Sequence, residues 1–243
     1  MYGGSVSRFR LKPEATLTAA LAVVVALAAC ARGSAASSDP GVGIPAPVVD
    51  LPASARTTDV AVLAGGCFWG VQAVYQHVTG VTSAVSGYAG GNEQEAEYEA
   101  VSTGRTRHAE SVRIVYDPRV ISYGKLLQIF FSVAHDPTEL NRQGPDDGPQ
   151  YRSAIFPAND DQARVARAYI AQLNDARAFP ANLATTIEPG RTFFRAEDYH
   201  QDFLERNRSN RYIVVNDLPK LSALQRLFAS DYRARAVLAG SSR

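Results

Sequence analysis

The stretch that decides the architecture is DVAVLAGGCFWGVQAVYQHV, residues 59–78. Asp59–Gly65 is a short apolar run closed by glycines, which predicts a buried strand. Across residues 69–78 the apolar side chains Val71, Val74, Tyr75 and Val78 fall at helical spacing. Cys67 therefore lies in a strand-to-helix turn, at or just before a helix N-terminus. Working outward, residues 81–88 read as a second strand, closed by Gly87, Gly90 and Gly91. ESVRIVY, residues 110–116, alternates and predicts a third strand. An amphipathic helix is expected over 123–134. A long loop, dense in Asp, Asn, Gly and Pro, covers 135–150. Beyond it the pattern predicts a strand at 153–156, a helix at 160–176, a strand at 184–188, and helices at 197–206 and 219–238. There is no internal repeat. This irregular alternation predicts a single-domain α/β (α+β) sandwich whose mixed, partly antiparallel sheet is flanked by helices.

Bulk properties narrow the function classes. A chain of 243 residues, 46% hydrophobic and 20% charged, corresponds to one globular domain or at most two. Its formal net charge of +1 gives no electrostatic footprint for nucleic acid. Two cysteines, Cys30 and Cys67, are too few for a disulfide framework or a four-ligand zinc site. The histidines, at 77, 108, 135 and 200, form no His-x-x-x-His pair. Neither a metal nor a bound cofactor is expected.

The N-terminal region reads as an address. Arg8, Arg10 and Lys12 precede an apolar run over residues 15–29. That run is shorter than the ~20 residues needed to span a bilayer and fits a secretory signal. It ends in Leu27-Ala28-Ala29-Cys30, which resembles a bacterial lipobox whose cysteine is lipidated. The alternative is an ordinary signal with an incidental cysteine. Residues 1–29 are expected to be a lipoprotein-type signal and 30–57 a flexible tether rich in Gly, Ala, Ser and Pro. The catalytic domain would cover 58–218, followed by a helical extension, 219–243. Lipidation at Cys30 would hold the chain in a bacterial cell envelope, at the periplasmic face of the outer membrane.

A free cysteine is most often a small buried hydrophobe. The surroundings of Cys67 raise a functional reading. Backbone N–H groups and the positive dipole end at a helix N-terminus favour thiolate over thiol. Gly65 and Gly66 let a ligand approach closely. Phe68 and Trp69 place aromatic surface beside the sulfur, where a methyl-bearing group can pack.

The segment Gly65-Gly66-Cys67-Phe68-Trp69-Gly70 resembles the active-site signature of the A-type peptide-methionine (S)-S-oxide reductases. Further segments are similar and in the same order: Gly87-Tyr88-Ala89-Gly90-Gly91, residues 104–110 ending at Glu110, His135-Asp136-Pro137-Thr138, residues 140–144, residues 148–153 around Tyr151, and residues 197–201. The resemblance covers about residues 58–218. It implies that Cys67 attacks the sulfur of methionine sulfoxide, free or in oxidised proteins, and becomes a sulfenic acid. It implies Glu110 as proton donor, Tyr88 and Tyr151 as hydrogen-bond donors to the sulfoxide oxygen, Phe68 and Trp69 as substrate contacts, and Asp146 as a loop acid that orders the site. Pro145 departs from the pattern and leaves Asp146 and Asp147 as alternatives. His200 carries over only in a structural role.

Magnitudes show why the acid matters. A thiol of pKa near 8.5 is about 3% ionised at pH 7. Lowering its pKa by ~2 gains about 25-fold in thiolate but loses about tenfold in nucleophilicity, a net of only two- to threefold. General acid catalysis is worth roughly 10²–10⁴-fold. No cysteine follows Cys67, so the expected reductant is external, a thioredoxin-like protein or a small thiol. Two other classes compete. A cysteine hydrolase would need one of the four histidines beside Cys67. A non-enzymatic envelope lipoprotein would bind a partner through its aromatic surface.

Overall fold

The computed structural model describes residue 1 and residues 41–240. The expected signal, Cys30 and the first part of the tether lie outside the described residues.

The strand predicted at the head of the decisive stretch is β1, Asp59–Gly65. It sits inside a six-stranded sheet because both of its edges are occupied. The helix that follows is α1, Phe68–Gln76. Next come β2, Val81–Ala89, a short α2, Tyr98–Val101, and β3, Ala109–Tyr116. α3, Tyr123–Ile129, runs on into a π-helical turn, Phe130–Ala134, so the predicted helix over 123–134 is one continuous unit of two geometries. The predicted loop carries a small ribbon, β4, Arg142–Gln143, and β5, Asp146–Asp147. Then follow β6, Ser153–Ile155, α4, Asp160–Asp175, β7, Thr186–Ile187, β8, Phe193–Arg195, α5, Phe203–Arg206, and α6, Leu218–Leu227.

The large sheet has the order β7-β6-β1-β3-β2-β8. All neighbours are antiparallel except β6 and β7, so the sheet is mixed, as expected. Helix α1 buries Val71, Val74 and Tyr75 in the main core with Leu63, Val112 and Ile114. Each such side chain contributes about 1.5–3 kcal/mol by leaving water. The Tyr75 hydroxyl still needs a partner, and it donates to the Leu126 carbonyl at 2.9 Å. Two registers place the chemistry. Gly65 pairs with Ser153, and Tyr88 lies opposite Glu110. The ends of β1 and β2 and the start of β3 thus meet at one edge of the sheet.

Three expectations are corrected. Residues 41–51, read as part of a flexible tether, are pinned along the domain. Val42 N–H donates to the Ser132 carbonyl, Gln128 Nε2 to the Ile44 carbonyl, and the Tyr169 hydroxyl to the Pro45 carbonyl. Ile44 is buried. Proline and glycine suit this segment because an extended strap needs few backbone donors. The helix expected over 197–206 is broken into a 3₁₀ turn, Asp198–His200, and α5. Asp202 between them has φ +55, and its N–H and carboxylate are held by Gln72 and Gln76 of α1. Those buried tertiary hydrogen bonds outweigh local helix propensity. The helix expected over 219–238 stops at Leu227. The chain then turns back to α1, with Arg233 N–H on the His77 carbonyl and Val237 N–H on the Gln76 carbonyl.

Candidate active site

Cys67 is the N-cap of α1, with φ −54 and ψ 122. The turn is built by the two glycines before it. Gly66 has φ +85, and a Cβ there would lie 2.5 Å from Gln143 Cγ. A Cβ on Gly65 would lie 2.9 Å from the His135 ring. Only glycine allows the loop residue Gln143 to close over this turn. Gln143 is itself fixed, accepting from Asp136 N–H and donating to Glu139.

The Trp69 backbone N–H, at the N-terminus of the helix, acts to lower the Cys67 pKa and so favours thiolate. Other forces oppose it. Cys67 is half-buried, and its surroundings push the thiol well above its ordinary pKa. Burial contributes most, then the charges of Glu110, Asp217 and Asp146. The expectation of a favoured thiolate is therefore corrected: one N–H and a nine-residue helix do not offset desolvation and three carboxyl groups.

Glu110, at the head of β3, is 3% exposed. Its Oε2 accepts the Phe68 N–H at 3.0 Å, which ties it to the first turn of α1 beside Cys67. Burial pushes its pKa up to about 8, against the lowering effect of that hydrogen bond, with a further rise from Asp146. At neutral pH its carboxyl group is mostly protonated and can donate.

Tyrosines line the same region. Burial, then the nearby Glu110, Asp146 and Cys67, raises Tyr151. The same neighbours act on Tyr98 of α2, which sequence reading did not single out. The Tyr88 ring lies 5.9 Å from Phe68, but its hydroxyl donates to Glu197 Oε2 at 2.9 Å. Glu197 also accepts from Tyr98 N–H at 2.8 Å. Tyr88 thus holds the wall of the site. Of the two loop acids, Asp146 points inward and is half-buried, while Asp147 is exposed. Asp146 accepts a short hydrogen bond from the Tyr212 hydroxyl.

Trp69 is clamped. It stacks on Phe203 at 3.7 Å, meets Tyr212 edge-on at 5.9 Å, and donates its Nε1–H to His200 Nδ1 at 3.2 Å. The assignment makes His200 neutral with its proton on Nε2. Phe68 packs on the His200 ring at 4.9 Å. The four histidines are engaged away from the sulfur: His77 with Glu205, His108 with the Asn92 carbonyl, His135 with Ser153 and His200 with Trp69. Burial pushes His135 down to about 3. No histidine stands as a base on Cys67, which removes the support for the hydrolase reading. A separate cavity of about 420 Å³, lined by Leu51, Arg56, Tyr116 and Tyr123, contains none of these residues. Among the described residues no cluster of three or more His, Cys, Asp or Glu side chains could hold a metal.

Sequence reading missed Tyr98, Tyr212, Glu197, Asp217 and Lys220. Tyr212 and Tyr98 carry no local signal, since both reach the site through tertiary packing. Asp217 and Lys220 did carry one, the i,i+3 spacing of opposite charges around Pro219 at a helix start.

Comparison with known proteins shows the family of the chain. The sequence model of the peptide methionine sulfoxide reductase family matches residues 59–232. The chain is 58% identical to peptide methionine sulfoxide reductase MsrA 2 of Mesorhizobium japonicum over 185 residues, covering 76% of this chain and 95% of the relative. It is 52% identical to MsrA 2 of Synechocystis over 196 residues, covering 79% and 92%. Among solved structures, reduced Mxr1 of Saccharomyces cerevisiae superposes with TM-score 0.56 at 33% identity, covering 65% of this chain and 91% of that one. Methionine sulfoxide reductase A of Corynebacterium diphtheriae superposes with TM-score 0.53 at 31% identity, covering 69% and 84%.

Proposed function

The chain belongs to the peptide methionine sulfoxide reductase family, as a member of its A type, and from that premise we propose how its own residues carry out the reduction. Cys67 Sγ attacks the sulfur of methionine S-sulfoxide, free or within an oxidised protein. Glu110 gives its proton to the sulfoxide oxygen, the resulting hydroxyl passes from the substrate sulfur to Sγ as the Sγ–sulfur bond breaks and the thioether leaves, and the proton lost by the Cys67 thiol restores Glu110. The sulfoxide gains two electrons and Cys67 loses them, becoming a sulfenic acid. An external thiol then attacks Cys67–SOH, water leaves, and a mixed disulfide forms. A second thiol releases Cys67 as thiol and carries away the disulfide. The absence of any cysteine after position 67 supports an external reductant, either a thioredoxin-like protein or a small thiol.

The observation that carries this reading is Glu110. A carboxyl group kept protonated by burial, hydrogen-bonded to the residue after the nucleophile, is suited to activating a poor electrophile. The Cys67 thiol is held above its ordinary pKa in the resting site, so attack requires the thiol to give up its proton as Glu110 supplies one to the oxygen. Trp69, Phe68 and Tyr212 form an apolar wall for the substrate methyl group. Tyr151 and Tyr98 supply hydroxyl groups to the oxygen, with Asp146 fixing Tyr212 and the loop. Tyr88 joins them when substrate draws its hydroxyl from Glu197.

The test is reduction of each methionine sulfoxide epimer by the full chain with dithiothreitol or a thioredoxin as donor. The S epimer should be reduced and Cys67→Ser should abolish turnover. Reduction of neither epimer with any donor would overturn the reading. A single turnover without donor should leave one sulfenic acid on Cys67. The basic start, apolar run and Cys30 support a further proposal, that the enzyme works in a bacterial envelope, lipid-anchored at the periplasmic face of the outer membrane. Mass spectrometry of the native N-terminus should find a diacylglyceryl group on Cys30, and an unmodified Cys30 in the mature chain would reject the anchor.

A further inference from the structure

Against the first turn of α1 lies an ion pair that the mechanism above does not use. Asp217 closes a π-helical turn, Ile213–Asp217, and its carboxylate is completely buried. Lys220 on α6 is buried as well, and its Nζ lies 3.1 Å from Asp217 Oδ1. The pair is pressed on Gly70, three residues after Cys67. A Cβ on Gly70 would lie 2.1 Å from Asp217 Oδ1 and 2.8 Å from Lys220 Nζ. Gly70 is thus the opening through which a charge pair reaches the start of the nucleophile's helix. The other carboxylate oxygen, Oδ2, is buried with no hydrogen-bond partner. Leaving such an atom unpaired is costly, and a pair kept for stability alone is better served by bonding both oxygens or by apolar side chains.

We propose that Asp217 and Lys220 are positioning residues for Cys67: the Asp217 carboxylate, delivered past Gly70, holds the nucleophile as a thiol at rest, and the Lys220 ammonium limits that effect. The groups acting on Cys67 are Glu110 from β3, Asp146 from β5, Tyr98 from α2, Tyr151 before β6, Tyr212 and Asp217, with Lys220 reaching it through its pair with Asp217. Glu110 is mostly neutral near pH 7, so Asp217 is the stronger of the remaining acids acting on the sulfur, ahead of Asp146; burial raises Asp217, and the Lys220 ammonium at 3.1 Å opposes that rise and favours its charged form. The arrangement suits a chain with no cysteine after Cys67. With no cysteine after position 67 to trap a sulfenic acid, a resting thiol is protected from stepwise oxidation in a way a resting thiolate is not.

The proposal rests on Cys67 being the nucleophile, but its test does not depend on sulfoxide turnover. The rate of iodoacetamide alkylation is measured against pH in the full chain, followed at the Cys67 peptide by mass spectrometry. Removing one nearby charge, D217N lowers the midpoint by roughly one pH unit. The double variant D217N/K220M, which removes the cation too, moves the midpoint back up towards wild type. K220R, which keeps the cation, leaves it in place. A purely structural pair would change melting temperature without this alternation. D217S removes the same charge and serves if the amide packs poorly, with native circular dichroism required of each variant. An unchanged midpoint in the folded Asp217 variant, or a double variant that stays with the single one, overturns the proposal. Shifted midpoints in a protein that reduces no sulfoxide would leave it standing and overturn the reductase mechanism instead.

Discussion

Glu110 meets two opposing influences, the desolvation that favours its neutral form and the Phe68 N–H that favours its charge. Desolvation wins and sets the working range of the enzyme. As pH rises through about 8, Glu110 loses the proton it must donate, so kcat/KM should decline there. Glu110→Gln keeps the shape but has no acidic proton. It should lower kcat/KM by about 10²–10⁴-fold and erase that alkaline decline, as measured by pH–rate profiles with methionine S-sulfoxide. A variant retaining more than a tenth of the activity would show that the proton comes from elsewhere. Cys67 contributes in the opposite sense. Its thiol is harder to ionise than a free one, so the site does not rest on a pre-formed thiolate.

The decisive element is the β1–turn–α1 unit, and its weak point is Gly66. At φ +85, with Gln143 against it, an alanine is strained in its backbone and crowded in space. Gly66→Ala should cost about 1–3 kcal/mol in urea unfolding and lower kcat as well, because Gln143 and Cys67 move together. Normal stability with normal turnover would mean the turn is free to relax. A second element, the strap over 41–51, ties α3 and α4 through Ile44, Pro45 and Val42. A domain starting at residue 58 loses these contacts and exposes the apolar surface under Ile44. It should melt about 5 °C or more below one starting at residue 41, by calorimetry, while its site residues are all retained. Equal melting temperatures would return the strap to the status of a tether.

For the whole molecule, the same buried carboxyl group couples function to stability. Glu110 has a folded pKa of about 8, above its ordinary value of 4.5. The neutral form is favoured by the fold, so this contribution is fully present below about pH 4.5 and is lost as pH rises through 8. The linkage is of order 3–5 kcal/mol across that window. Thermal melts should therefore fall between about pH 4.5 and 8 for the wild type and fall less for Glu110→Gln. Parallel pH dependences in the two proteins would show that other groups govern stability in this window.

Local spacing determined what depends on near neighbours. The glycine-flanked strand, the helix after Cys67, the alternation in β3 and the turn-rich loop were all legible because their periods are set by the backbone itself. The collinear motifs likewise pointed to Cys67, Glu110, Tyr151 and Asp146, and the fold brings these four to one edge of the sheet. Only the tertiary structure decided the rest. Desolvation depends on everything packed around an atom, so neither the raised Cys67 thiol nor the protonated Glu110 could be read from adjacent residues. Tyr98, Tyr212 and the Asp217–Lys220 pair arrive from elements 30 or more residues away in sequence from Cys67. The break at Asp202 and the bound strap arise from side-chain hydrogen bonds between distant segments. Periodicity reports which face of an element is buried, and it carries no information about what lies against that face.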